Sequence, residues 1–152
     1  MLEPLCGDIL IAGARIREID PVILRSRIIA IPQEPCILPG DARKNLDPEG
    51  LCSEEQCSDV MELLKLSEGP LTPGQKQLLM LGRAVLRVRA KAGPGVLLLD
   101  ELGGNADAEA ARLMWTIIWK EFAGWTIVAV THRLVDGFDR VVWVDKGVIQ
   151  ED

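Results

Sequence analysis

Val96-Leu97-Leu98-Leu99-Asp100-Glu101 is an unbroken apolar run of four that stops on two adjacent carboxylates. Preceded by Gly93-Pro94-Gly95, the run reads as a strand buried on both faces, of the kind found inside a parallel sheet. Ligands of open α/β sheets gather at the carboxyl ends of such strands, which gives the position of Asp100 and Glu101 functional weight. An acid pair there suits magnesium-dependent phosphoryl chemistry, with one carboxylate holding the ion through water and the next orienting a nucleophilic water. The plainer alternative is a buried strand that ends in solvated or salt-bridged acids.

Working outward, the flanking segments alternate between helical and strand patterns, as an α/β domain requires. On the N-terminal side, Leu71-Thr72-Pro73-Gly74-Gln75 opens a helix to about Arg89. Thr72 is its N-cap, Pro73 its first position and Gln75 completes a capping box, while Leu78, Leu81, Val85 and Val88 form the buried face. Free amides at that helix start, approached closely through Gly74, suit a phosphate; an ordinary well-capped helix explains the same residues. Gly69 to Lys76 has the glycine spacing of a phosphate-binding P-loop, but Gln75 stands where the lysine must be, so the match is rejected. Further upstream, Ser53 to Gln56 is a capping box for a helix with Val60, Leu63 and Leu64 on one face, and Asp41 caps a short turn through Asn45. This acidic region is expected to be a surface excursion. Ile28 to Ile31 is a second strand, ending at Pro32-Gln33, and Asp20-Pro21 starts a short helix, Val22 to Arg27. Gly7 to Gly13 reads as a short strand closing on a glycine turn.

On the C-terminal side, Leu102 to Asp107 is a loop whose last residues can cap a helix from about Ala108 to Phe122. That helix is apolar over most of its circumference and is expected to pack between layers. The strand Trp125 to Val130 delivers Thr131-His132 to the same edge as Asp100 and Glu101, where His132 serves either structure or chemistry. Val141 to Val144, the turn Asp145-Lys146-Gly147 and Val148-Ile149 form a terminal hairpin.

Bulk properties narrow the class. At 152 residues the chain suits one domain. Its 48% hydrophobic and 26% charged content is that of a soluble globular protein. A formal charge of −6 argues against nucleic-acid or anionic-membrane partners. No apolar run is long enough to span a bilayer, and no signal peptide is apparent, so the chain as given is expected to be cytoplasmic. Cys6, Cys36, Cys52 and Cys57 lack zinc spacing and read as free thiols.

Taken in order, these segments resemble the ATP-binding cassette (ABC) domain of ABC transporters, most closely the second nucleotide-binding domain of the multidrug-resistance-associated (C) subfamily. Ile31-Pro32-Gln33-Glu34-Pro35 resembles the Q-loop, and Pro39 to Pro48 the stretch that follows it. Leu71 to Gln77 resembles the signature, with Thr72 for the usual serine. Val96 to Glu101 resembles Walker B, Val130 to Leu134 the H-switch, and Asp139 to Gly147 the C-terminal hairpin. The resemblance covers nearly the whole chain. It implies a P-loop NTPase-like α/β core with a mostly parallel sheet flanked by helices, an N-terminal antiparallel portion and a shortened helical subdomain. The chain would be a single partial domain, 1–152, with the reduced helical subdomain and signature at 41–74 and Walker B to the hairpin at 75–152.

The same resemblance implies ATP and Mg2+ as ligands and ATP hydrolysis coupled to export. Gln33 would contact magnesium and the attacking water, Asp100 would hold magnesium through water, Glu101 would be the base, and His132 would hold the γ-phosphate. Thr72, Gly74 and Gln75 would contact ATP bound mainly by a second nucleotide-binding domain packed head-to-tail. Transporter membrane domains would be the other partners, placing the chain at the cytoplasmic face of a membrane. The family's GxxxxGK[ST] loop is not found in these residues. Glu3-Pro4 and Gly7 to Ile9 look like the part just after the P-loop helix, and only 22 residues separate Pro48 from Leu71. Segments are expected to have been lost at several places, as in an incomplete or decaying copy, with weak or absent ATPase activity. The competing expectation is a non-catalytic interaction module that completes a partner's ATP site.

Overall fold

The computed structural model describes residues 7–66, 70–91 and 93–150; the readings at Glu3-Pro4, Cys6 and Gly69 lie outside them. Two short antiparallel strands, β1 (Leu10–Ile11) and β2 (Ala14–Arg15), open the chain. They are joined through Ala12 and Gly13, both at positive φ, the backbone sign of a two-residue hairpin turn. Helix α1 (Pro21–Arg27) begins at the Asp20 carboxylate, which accepts from the Val22 and Ile23 amides, and leads directly into β3 (Ile28–Ile31). Next come α2 (Ala42–Leu46), α3 (Glu54–Leu63), α4 (Pro73–Arg89), β4 (Val96–Asp100), α5 (Ala108–Glu121) and β5 (Thr126–Val130). The terminal hairpin is β6 (Trp143–Asp145) and β7 (Val148–Gln150), turned through Lys146 and Gly147 at positive φ. It is shorter than expected, since Val141 and Val142 precede its ladder.

The central sheet has the order β3-β4-β5 and is parallel throughout, with Ile29 opposite Leu97 and Leu97 opposite Ile127. Alternation along its strands sends Ile29, Ile31, Leu97 and Leu99 into the core, where they join Leu78, Leu81 and Val85 of α4 and Met114 and Ile118 of α5. Burying each of these side chains contributes about 1.5–3 kcal/mol. The other face is open: Leu98, Val128 and Val130 are 38%, 50% and 59% exposed. The expectation of a strand buried on both faces is therefore corrected. Among the described residues, helices cover one side only, and Leu98 of β4 has no layer above it.

Helix α5 is likewise not sandwiched. Met114, Ile117 and Ile118 are buried, whereas Trp119 is exposed and stacks on Trp115, with Phe138 set edge-on to both rings. Aromatic contacts, rather than a second layer, account for its outer apolar residues.

The region 41–64 is core, not a surface excursion. Leu46, Cys57, Val60 and Leu64 are all within 2% of full burial, packed against α4. Close approach is possible because α4 carries Gly82 there: a Cβ on Gly82 would lie 2.5 Å from Leu64 and 2.7 Å from Leu46. The charged residues that made the segment look superficial lie on the outer face of α3, while its few apolar positions point inward. Cys36, Cys52 and Cys57 are free. Burial pushes the Cys57 thiol up, and does the same at Cys52.

Two knots tie the helices to the rest. Asn45, 1% exposed, bonds the backbone of Leu38 in both directions and donates to Asp41. Arg83 of α4 then donates to the Asn45 backbone and side chain and to the Cys36 carbonyl. At the far end of α4, Arg89 forms a two-pronged pair with Glu121 of α5 at 2.7 and 2.8 Å.

Candidate functional site

Three loops converge at the carboxyl edge of the sheet. Glu101 is the first residue past β4, and its amide donates to the Val130 carbonyl at 2.8 Å, extending the pairing by one step. Its φ of +50° turns the chain sharply away from the strand. Beyond β5, the Thr131 hydroxyl accepts from the Arg133 amide and donates to the Arg133 carbonyl, a tight turn that holds His132 between them. Past β3, Pro32 ends the ladder and Gln33 follows.

These positions bring together the three side chains that mattered most in the sequence. His132 Nε2 lies 2.7 Å from Glu101 Oε1, and Gln33 Nε2 donates to Glu101 Oε2 at 2.7 Å. Both carboxylate oxygens are thus engaged by groups from different strands. The Glu101 side chain is 26% exposed and that of His132 83%, so the cluster is open to a ligand from solvent. A cleft of about 430 Å³ borders it, lined by Glu101, Gly103, Asn105, Arg112, Trp115 and the segment 131–135. Asn105 also borders a shallower groove shared by Gln33 and the first residues of α4, including Pro73, Lys76 and Gln77.

Asp100 ends β4 on the open face, paired with Val130 in the ladder, its exposed side chain in no hydrogen bond or ion pair among the described residues. Thr72, Gly74 and Gln75 sit apart at the start of α4. The Thr72 hydroxyl accepts from the Gln75 amide and the Gln75 side chain accepts from the Thr72 amide, a complete capping box. Gly74 is buried because α4 passes close to the loop after Glu101: a Cβ there would meet that of Ala106 at 3.2 Å. Among the described residues, no hydrogen bond or ion pair joins Thr72 or Gln75 to the Glu101 cluster.

Magnesium takes oxygen donors and retains several waters. The Asp100 carboxylate and the Gln33 amide oxygen are donors of that kind, and among the described residues no group of three His, Cys, Asp or Glu would hold an ion unaided. An ion here would have to be held mainly by water and by a ligand's own oxygens. A carboxylate flanked by an imidazole and an amide, beside an open cleft at the end of a parallel strand, can orient and polarise a water.

Along 99% of its length the chain aligns with ABC transporter FGM5 of Gibberella zeae at 39% identity. The chain is homologous to part of an ABC transporter. It also matches ABC transporter FUM19 of Gibberella moniliformis at 37% identity over 100% of the chain, and human ATP-binding cassette sub-family C member 2 at 36% identity over 99%. It spans only 12%, 13% and 11% of those proteins respectively. No protein-family profile matches it. Among the described residues, no helix is long and apolar enough to cross a membrane. Gln77, Asn105, Arg112 and Trp115 went unremarked as site residues in the sequence. Gln77 alone carried a legible signal there, a polar side chain set between the buried positions of α4.

Proposed function

We propose that this chain is one partial nucleotide-binding domain of an ABC-type exporter, 1–152, whose inherited activity is magnesium-dependent ATP hydrolysis coupled to transport. The observation that carries the reading is the Gln33–Glu101–His132 cluster, two 2.7 Å contacts assembled from three parallel strands at one sheet edge. Residues 41–74 form its reduced helical subdomain with the signature, and 75–152 run from Walker B to the terminal hairpin. The alignment with FUM19 extends over 198 positions for a chain of 152 residues, which supports internal shortening.

In this reading Glu101 takes the proton of the attacking water, Gln33 helps place that water, and His132 holds the terminal phosphate. Asp100 and the Gln33 amide oxygen would hold magnesium, which supplies charge neutralisation of the phosphates when bound. Thr72, Gly74 and Gln75 face ATP held by a second nucleotide-binding domain packed head-to-tail, and membrane domains of the intact transporter set its place at a cytoplasmic membrane face.

A loop of backbone amides with a lysine is the main grip on phosphate in such sites, and these 152 residues contain no GxxxxGK[ST]. Calorimetric titration of the chain with Mg-ATP is expected to give no binding in the micromolar range; micromolar affinity would overturn that expectation. The same feature favours a second reading, a non-catalytic module lending α4 to a partner's site. In that case adding the chain to an intact ABC cassette changes the cassette's ATPase rate, and an unchanged rate with no co-purification eliminates it.

A further inference from the structure

Gln77 is 2% exposed, in the second turn of α4, and both ends of its amide are hydrogen-bonded. Its Oε1 accepts from the Gly103 amide at 3.1 Å, and its Nε2 donates to the Gln33 carbonyl at 3.5 Å. Gly103 lies two residues past Glu101, and Gln33 is the residue whose side chain holds Glu101 Oε2. One buried side chain therefore spans the two backbones that present the amide and the carboxylate. Three residues earlier on the same helix, Gly74 packs against Ala106, at the other end of the Glu101 loop. A buried amide gains no water on leaving its partners, so the arrangement resists separation of the loops.

We propose that Gln77 is a positioning residue. It clamps the Gln33 segment and the loop after Glu101 onto α4, keeping the Gln33–Glu101–His132 cluster assembled and transmitting displacements at the start of α4 to it. The functional meaning rests on the reading of that cluster as the reactive site; the clamp itself is measured without nucleotide.

His132 is the only histidine, so its imidazole resonances in the full chain report on the cluster without ambiguity. In Gln77→Met, which keeps bulk and loses both bonds, hydrogen exchange at the Gly103 amide is expected to rise about tenfold or more, with Leu97 to Leu99 unchanged. The His132 imidazole and Gln33 side-chain amide resonances are expected to shift in the direction seen in Glu101→Gln. Deprotection of Gly103 with His132 and Gln33 unmoved would reduce Gln77 to a packing role and overturn the proposal, as would an unchanged Gly103. Where Gln77→Met does not fold, the unsubstituted chain decides. Gly103 and the Gln77 side-chain amide must then exchange in the same slow class as β4, and rapid exchange at either refutes the clamp. Failure to bind or hydrolyse nucleotide would leave all these readouts in place and bears only on the proposed function.

Discussion

Glu121 shows how much a single residue can report about the packing of two helices. Its carboxylate is 9% exposed and meets Arg89 through two hydrogen bonds, and that guanidinium holds its pKa below the usual carboxylate range. A depressed folded pKa means the stabilisation is complete above the unfolded value of about 4.3 and is lost as pH falls through the folded one. Glu121→Gln is expected to cost about 1 kcal/mol at pH 7, allowing for the partly exposed guanidinium. Urea denaturation should show that difference shrinking as pH falls below the unfolded value; a constant difference would remove the pair from the acid response. Glu101 and His132 could be placed at one edge from strand ends alone, because parallel strands deliver their last side chains there, whereas Gln33 joined them in the sequence only through the family resemblance. For Gln77 only the placing of a polar side chain among buried positions was readable; its partners were not, because they are backbone groups of two loops, which no spacing in the sequence reveals.

At the scale of elements, helix starts were the most readable feature. Asp20, Asp41, Ser53, Thr72 and Asp107 all cap as expected, since each cap is a local bond over two or three residues. Burial was less readable. The segment 41–64 carries its apolar residues singly among acids, and only their convergence on Gly82 makes it core. Gly82→Ala tests that convergence. A methyl group would push against Leu64 and Leu46, which are 0% and 1% exposed and have little room to yield, so overpacking is expected to destabilise by about 1–3 kcal/mol. Chemical denaturation measures it, and a neutral or stabilising result would show that α2 and α3 are loosely seated on α4. Helix propensity acts the other way, favouring Ala over Gly by about 1 kcal/mol, so a measured loss is a lower bound on the steric cost.

For the whole molecule, the α/β class and parallel sheet followed from the strand pattern, whereas the bare face did not, because an apolar run looks the same whether one layer or two cover it. Leu98, Val128 and Val130 lie exposed on that face, and β3 and β5 are the sheet's two edges. Apolar surface beside unpaired backbone invites association. Light scattering is expected to show concentration-dependent oligomers, and Val128→Lys, placed on the open face, is expected to shift them toward monomer with the midpoint of denaturation nearly unchanged. A monodisperse monomer at all concentrations would contradict this. The bare sheet face also bears on the lifetime of the chain in a cell. A surface of this kind is what chaperones and proteases recognise, so abundance would be limited by how quickly each new copy finds cover, and heat tolerance would be a poor guide to persistence.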